Sequence, residues 1–237
     1  MKVKLIDITE NPIEKIYKAY RICYSKDNWE DIKIPQKSNP RYTDGRNGEK
    51  YTITDLDKMI KFIVPLMEEH HTSPLEHVSF SFAIEGISRA CLAQLTRHRT
   101  FKFNVQSQRY VDGKNFDFVM PDLSYIEDDI DRNVVIKYLK DYFDEAKNRY
   151  ERLVAHGLKK EDARAILPQA TTCNLVVTMD LNNFRNFLRQ RLCVHAQKEI
   201  RELSQEMVKL LKPYIPFADH KVLLCQRGLC NHCKVDK

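Results

Sequence analysis

The sequence predicts an α/β fold in one domain. Residues 1–8 and 78–84 alternate apolar and polar side chains, and residues 171–181 are rich in β-formers, so each reads as a strand. Residues 128–155 and 182–211 instead carry apolar side chains at helical spacing, long enough for two helices that flank a sheet. Glycine is scarce, at six residues, and no repeat, low-complexity tract or linker divides the chain.

The elements follow in order. After the first strand, Asn11-Pro12 is a helix start, and Ile13, Ile16, Tyr17, Tyr20 and Cys23 mark one face as far as Tyr24. Residues 26–52 are polar and hold Pro35, Pro40, Gly45 and Gly48, the signature of a long surface loop, a candidate lid. A helix with Leu56, Met59, Ile60 and Ile63 starts at Thr54. Ser73, Pro74 and Glu76 fit the positions of a capping box. Val78, Phe80, Phe82 and Ile84 point one way from the strand that follows. Ser88 caps a helix that runs to about Arg97, with Cys91, Leu92 and Leu95 packing. Residues 116–120 read as a strand, and Gly157 stops the 128–155 helix, whose apolar face holds Val134, Val135, Tyr138, Leu139, Tyr142, Phe143, Ala146, Tyr150 and Leu153. A short helix over 160–167 ends at Pro168, and the last long helix runs from Asn182 to about Leu211.

Composition bounds the function. Hydrophobic residues make up 43% of the 237 positions and charged residues 30%, which places the chain among soluble globular proteins. Neither a G-x-G-x-x-G nor a G-x-x-x-x-G-K run occurs, so side chains must hold any phosphate. The net charge of +6 suits a small anionic ligand at least as well as a nucleic acid. The N-terminus lacks the apolar run of a signal peptide, and no stretch is long and apolar enough to span a membrane. Seven cysteines, an odd number, point to a reducing compartment, with the cytoplasm as the expected location.

Chemistry concentrates at residues 97–110. Arg97, His98 and Arg99 stand side by side, and after a gap of seven residues come Ser107, Gln108 and Arg109. Like charge this dense calls for an anion, and guanidinium forks match phosphate geometry. Two flanking guanidinia would push His98 toward its neutral form. Gln94, three residues before Arg97, shares a helix face with it. Arg191 interrupts the apolar stripe of Phe184, Leu188 and Leu192, with His195 one helical turn further on. A guanidinium there either pairs with a buried carboxylate, such as Glu161 or Glu76, or lines a pocket. Asn182 and Asn186 add hydrogen-bonding groups from a neighbouring face. Glu161 and Arg164 are spaced as an ordinary surface ion pair. The His71–His77 spacing fits no common zinc helix. In the tail, Cys225, Cys230, His232 and Cys233 leave zinc binding and free thiols equally open.

Together these residues resemble one family, the flavin-dependent thymidylate synthases. Arg97-His98-Arg99 with Ser107 matches its Arg-His-Arg-x7-Ser motif. Upstream, His71-x-Ser73-Pro74-x-Glu76-His77 is similar to its His-x-Thr/Ser-Pro-x-Glu-His block. Glu161-x-x-Arg164 is similar to its mid-chain Glu-x-x-Arg, and Asn186 through Arg191 to His195-Ala196-Gln197-x-Glu199-Ile200 to its last helix. Four blocks in the right order cover roughly residues 70–200.

The resemblance implies a mixed or antiparallel sheet flanked by long helices. It implies a synthase domain over residues 1–217 with a Cys-rich tail over 218–237, and no enzyme cysteine as nucleophile. The reaction implied is methylation of deoxyuridine monophosphate (dUMP) to thymidylate. Methylenetetrahydrofolate would give the carbon, and FAD reduced by NADPH the hydride. Gln94, Arg97, Gln106, Ser107, Gln108, Arg109, Arg164 and Arg191 would hold dUMP, with Arg191 activating the uracil ring. Ser73, Glu76, Arg97, His98, Arg99, Asn182, Asn186 and His195 would hold FAD. His71 would lie by the flavin and folate, and Glu76 would orient His98 or an arginine. The family is a homotetramer whose sites combine residues of several subunits. This chain departs from the common pattern at Val105, where many members carry glutamate, and at Lys102, Asp180 and Asn182. Two rivals stand beside this reading: a nucleic-acid-binding protein with a zinc tail, and a flavoenzyme acting on another nucleotide.

Overall fold

The computed structural model describes residues 1–35, 42–44, 50–52, 55–113 and 116–230. It is a mixed α/β protein. A four-stranded sheet has the order β1-β4-β6-β5, from β1 (Lys2–Ile8), β4 (Ser79–Ser88), β5 (Lys102–Val105) and β6 (Thr172–Asp180). β5 runs antiparallel to β6, with Lys102 opposite Thr178 and Val105 opposite Leu175. A separate antiparallel pair joins β2 (Tyr42–Asp44) to β3 (Lys50–Thr52). That pair corrects the expectation of a plain loop over 26–52. Positions 36–41 and 45–49 of that candidate lid lie outside the described residues.

The chain divides into two compact units. The first holds Met1–Lys4, Phe82–Thr178 and Arg191–Met207; the second holds Leu5–Ser81, Met179–Gln190 and Val208–Lys237. In the first, Phe82, Ile84, Ile87, Leu95, Val177, Ile200 and Leu203 are fully buried. Helix α3 (Arg89–Leu95) starts where Ser88 accepts from Cys91 N at 3.0 Å, as expected of an N-cap. The long helix α4 (Asp129–Ala155) is capped by Asp128. It ends in a Schellman turn: Gly157, at φ 92°, and Leu158 donate to Val154 and Leu153. Only its last turns bury apolar side chains, at Phe143, Ala146 and Tyr150. Val134, Tyr138 and Tyr142, expected on its core face, are exposed. Residues 116–120 form a single bridge, Phe118 to Thr171, rather than a strand. Pro121 follows with no N–H to extend the pairing. After α4 comes α5 (Lys160–Ala163), which tightens into a 3-10 turn over Arg164–Ile166.

In the second unit, α1 (Pro12–Tyr24) and α2 (Asp55–Glu68) bury Ile13, Ile16, Tyr20, Met59, Ile63 and Met67. Asn11 stands before α1 in the left-handed region, which asparagine tolerates, and Pro12 opens the helix. Phe80 meets Phe184 edge to face at 5.3 Å between centroids. Helix α6 (Leu181–Arg191) follows β6 directly, and α7 (Lys198–Leu211) belongs to the first unit as far as Met207. The continuous helix expected over 182–211 is therefore broken at residues 192–197. Within the break Ala196 N–H bonds to Cys193 O, and Arg201 Nη1 takes the carbonyls of Val194 and Ala196 at 2.9 and 3.3 Å. A guanidinium thus supplies the donors that an unbroken helix would have taken from its own backbone. No described helix is long and apolar enough to cross a membrane.

Candidate active site

In the first unit the basic run starts just past α3 and ends beyond β5. Arg97 and Arg99 are exposed, and among the described residues neither has a carboxylate partner. His98 is half-buried and stacks on Phe101 at 5.5 Å. Arg191, the last residue of α6, donates from Nε to His98 Nε2 at 3.1 Å and from Nη2 to Gln94 O at 3.0 Å. Both acceptors are neutral. Neither Glu161 nor Glu76 pairs with Arg191, so the expected buried salt bridge is not formed. Because Nε2 accepts, the proton of His98 sits on Nδ1. Burial, and then the charge of Arg191, lower its pKa from 6.5 to about 4. The neutral imidazole expected from the sequence is present, but Arg191 and burial cause it rather than the chain neighbours Arg97 and Arg99. Arg191 in turn is depressed by burial and by the nearby charge of Arg97. Two guanidinia thus approach each other with no acid between them.

Further along, Ser107 Oγ accepts from Arg109 N at 3.2 Å and its carbonyl from Val111 N at 3.0 Å, a turn that projects the Ser-Gln-Arg segment. Gln106 N bonds to Asn174 O at 2.8 Å beside β6, and Gln108 is buried. Arg109 Nε pairs with Glu161 Oε2 at 2.9 Å. Arg164 Nε takes the Glu161 backbone carbonyl at 3.0 Å. The expected Glu161–Arg164 ion pair is therefore replaced by Arg109–Glu161, since the 3-10 turn at Arg164 brings its side chain over the main chain. Gln94 bonds to Gln197, and Glu199 takes the Ser88 N–H at 2.7 Å and hydroxyl at 2.5 Å. His195 lies exposed in the break, not on a helix face with Arg191. Buried Cys91, which acts electrostatically on Arg191, has its thiol pKa pushed up by burial and then by Glu199.

The second unit presents the other block. Helix α2 ends in a Schellman turn with His70 at φ 69°; His70 and His71 donate to Met67 and Leu66. That turn fixes where His71 emerges, and its ring meets Tyr24 edge-on at 6.2 Å. Residues Ser73–His77 form a 3-10 helix with no side-chain cap, so the expected capping box is absent. The tighter turn closes through Leu75 N to Thr72 O, at 3.0 Å. Glu76 accepts from Asn182 Nδ2 at 2.8 Å, where orientation of His98 or an arginine was expected. Asn186 Oδ1 accepts from Arg189 Nη1 at 3.2 Å.

The sequence family described as thymidylate synthase complementing protein matches residues 4–217. The chain is 36% identical to a flavin-dependent thymidylate synthase of Nitratidesulfovibrio vulgaris, over 97% of this chain and 90% of that protein. It is 33% identical to one of Clostridium tetani, over 91% and 84%, and 34% identical to one of Pyrococcus furiosus, over 97% and 89%. This chain belongs to the flavin-dependent thymidylate synthase family.

Sequence reasoning missed two features of this member of the family. Arg185 is buried and spends its guanidinium on the carbonyls of Phe217, Ala218 and His220 at 2.8–3.0 Å. Its place one turn from Leu181 and Leu188 was the available signal. Glu199 lies inside the matched last block, yet its contact with the Ser88 cap could not be foreseen from spacing. Of the tail cluster, Cys225 is a free cysteine, while His232 and Cys233 lie outside the described residues.

Proposed function

We propose that this chain is a thymidylate synthase that converts dUMP to thymidylate with methylenetetrahydrofolate as carbon donor and a bound FAD. When bound, FAD supplies the reducing hydride, which it receives from NADPH. The observation that carries this reading is Arg191, a half-buried cation whose bonds among the described residues go to His98 and a carbonyl, both neutral. Its charge is left for a ligand. Set against the N3/O4 edge of uracil, it favours the enolate-like form in which C5 is nucleophilic. Low polarity strengthens that effect over its value in water. Neutral His98 holds the guanidinium by its Nε, which leaves Nη1 and part of Nη2 to face the ring. Cys91 stays a protonated thiol, which supports chemistry without a cysteine nucleophile.

Ser107, Gln106, Gln108 and Arg109 bind the nucleotide with Gln94, Arg97, Arg164 and Arg191. Arg97, His98, Arg99 and His195 form one group of FAD-binding residues. His71, Ser73, Glu76, Asn182 and Asn186 form another. The donor set fits: Arg97 and Arg99 have forks open to diphosphate oxygens. In a homotetramer the two groups need not come from one chain. Residues 1–217 act as the synthase domain and 218–237 as an appended tail, and the enzyme works in the cytoplasm.

The test is the purified protein's colour and chemistry. It should be yellow, bleach with NADPH under anaerobic conditions, and make thymidylate. Arg191→Ala should lose thymidylate formation and keep flavin reduction. Loss of both would make Arg191 structural, and a colourless protein that takes up no added FAD would refute the reading.

A further inference from the structure

The second unit contains a cavity of about 310 Å3 lined by none of the residues assigned above to dUMP or FAD. Arg185, Arg189, Lys221 and Arg227 line it, and Glu68 is the one carboxylate among its described lining residues. Glu68 is already committed, to His220 Nε2 at 2.6 Å and to Lys221 Nζ at 3.0 Å. Asp219, whose charge also reaches Arg185, is taken by Lys212 at 3.0 Å. The Arg185 fork is filled by backbone carbonyls. Its pKa falls to about 10, first through burial and then through Arg189, with Arg227 adding to the same effect. Positive charge in this cavity is therefore not balanced by the described residues around it.

Arg189 is the sharper sign. Its Nη1 donates to Asn186, but its Nε–H is buried and meets no acceptor among the described residues. Leaving such a donor unmet is costly, and more so for a charged group. An oxyanion would remove that cost and the charge imbalance together.

We propose that this cavity is a binding site for a phosphate-class oxyanion that accepts from Arg189 Nε and is balanced by Arg227. Its volume is at the low end of the roughly 300–1,000 Å3 of small-molecule sites. It suits a phosphate group, free or at the end of a longer ligand, rather than a whole nucleotide. The two sources are inorganic phosphate and a phosphate of a bound dinucleotide.

Isothermal titration of the full chain with inorganic phosphate, at constant ionic strength set by chloride, tests this. With dUMP saturating, so that the proposed nucleotide site is already filled, wild type should show one saturable site. Arg227→Gln, with a circular dichroism spectrum like wild type, should bind at least tenfold more weakly. Arg189→Gln should do the same, and if it misfolds, Arg227→Gln decides. Repeating the titration with saturating FAD or NADPH separates the sources: competition assigns the oxyanion to that dinucleotide, and undiminished binding assigns it to free phosphate. No saturable heat, or equal affinity in wild type and folded Arg227→Gln, overturns the proposal. No flavin reduction is measured, so this failure would leave the proposed reaction standing.

Discussion

The contact between His98 and Arg191 ties stability to pH. The imidazole is held neutral, with its pKa lowered from 6.5 to about 4. As pH falls, the unfolded chain takes up this proton before the folded one does. The stability contributed by neutral His98 is thus fully present above its unfolded pKa, and is lost as pH falls from there through about 4. At about 1.4 kcal/mol per pH unit the ceiling is about 3.4 kcal/mol. His98 is only half removed from water, and screening brings the expected value to roughly 1.5 kcal/mol. The assay is urea unfolding of wild type and His98→Asn at about pH 7.5 and about pH 4.5, followed by far-UV circular dichroism. Asparagine can still accept from Arg191 but has no proton to gain. Wild type should lose about 1 kcal/mol more than the variant between the two pH values. Equal losses would mean that the ring titrates normally and does not accept from Arg191.

Two further outcomes follow from packing. A Cβ on Gly113 would lie 2.7 Å from the ring of buried Tyr150, whose hydroxyl takes the Gly113 N–H at 3.1 Å. Gly113→Ala should cost about 1–3 kcal/mol in chemical denaturation, and an unchanged midpoint would contradict the close approach. Ile130, Val134, Tyr138 and Tyr142 form an exposed stripe at four-residue spacing along α4. If the chain assembles as a tetramer through it, Tyr138→Glu should give a smaller species in light scattering with an unchanged helical spectrum. An unaltered mass would place the interface elsewhere.

The parts of the site that could be read from the sequence are those where a residue type is out of place. Arg191 shows because it falls in the stripe of Phe184 and Leu188, and Arg97 to Arg109 show because like charge is crowded. The break after Arg191 could not be read, because His195 continues the four-residue spacing and Ala196 and Gln197 favour helix. What opens the chain there is Arg201, which takes the freed carbonyls from beyond the break. The Arg109–Glu161 pair was missed for a related reason: helical spacing offered Glu161 a nearer partner in Arg164. Periodicity also placed Tyr138 and Tyr142 in the core. An apolar stripe has the same spacing whether it faces its own core or another molecule, so only packing tells the two apart. The strand at Val78 to Ile84 was legible because its alternating apolar residues are the buried ones, and that at 172–180 because β-forming residues are concentrated there.

Arg185 has a practical consequence for handling the protein. Its three acceptors lie at residues 217, 218 and 220, close to the end of the chain. Trimming the polypeptide before Phe217 would not merely shorten a polar tail. It would strand a buried positive charge beside the fully buried Phe184 and Phe187, at a cost of about 3–5 kcal/mol. Shortened versions for crystallisation or fusion should therefore keep the sequence through at least His220, even though the family match itself ends at 217.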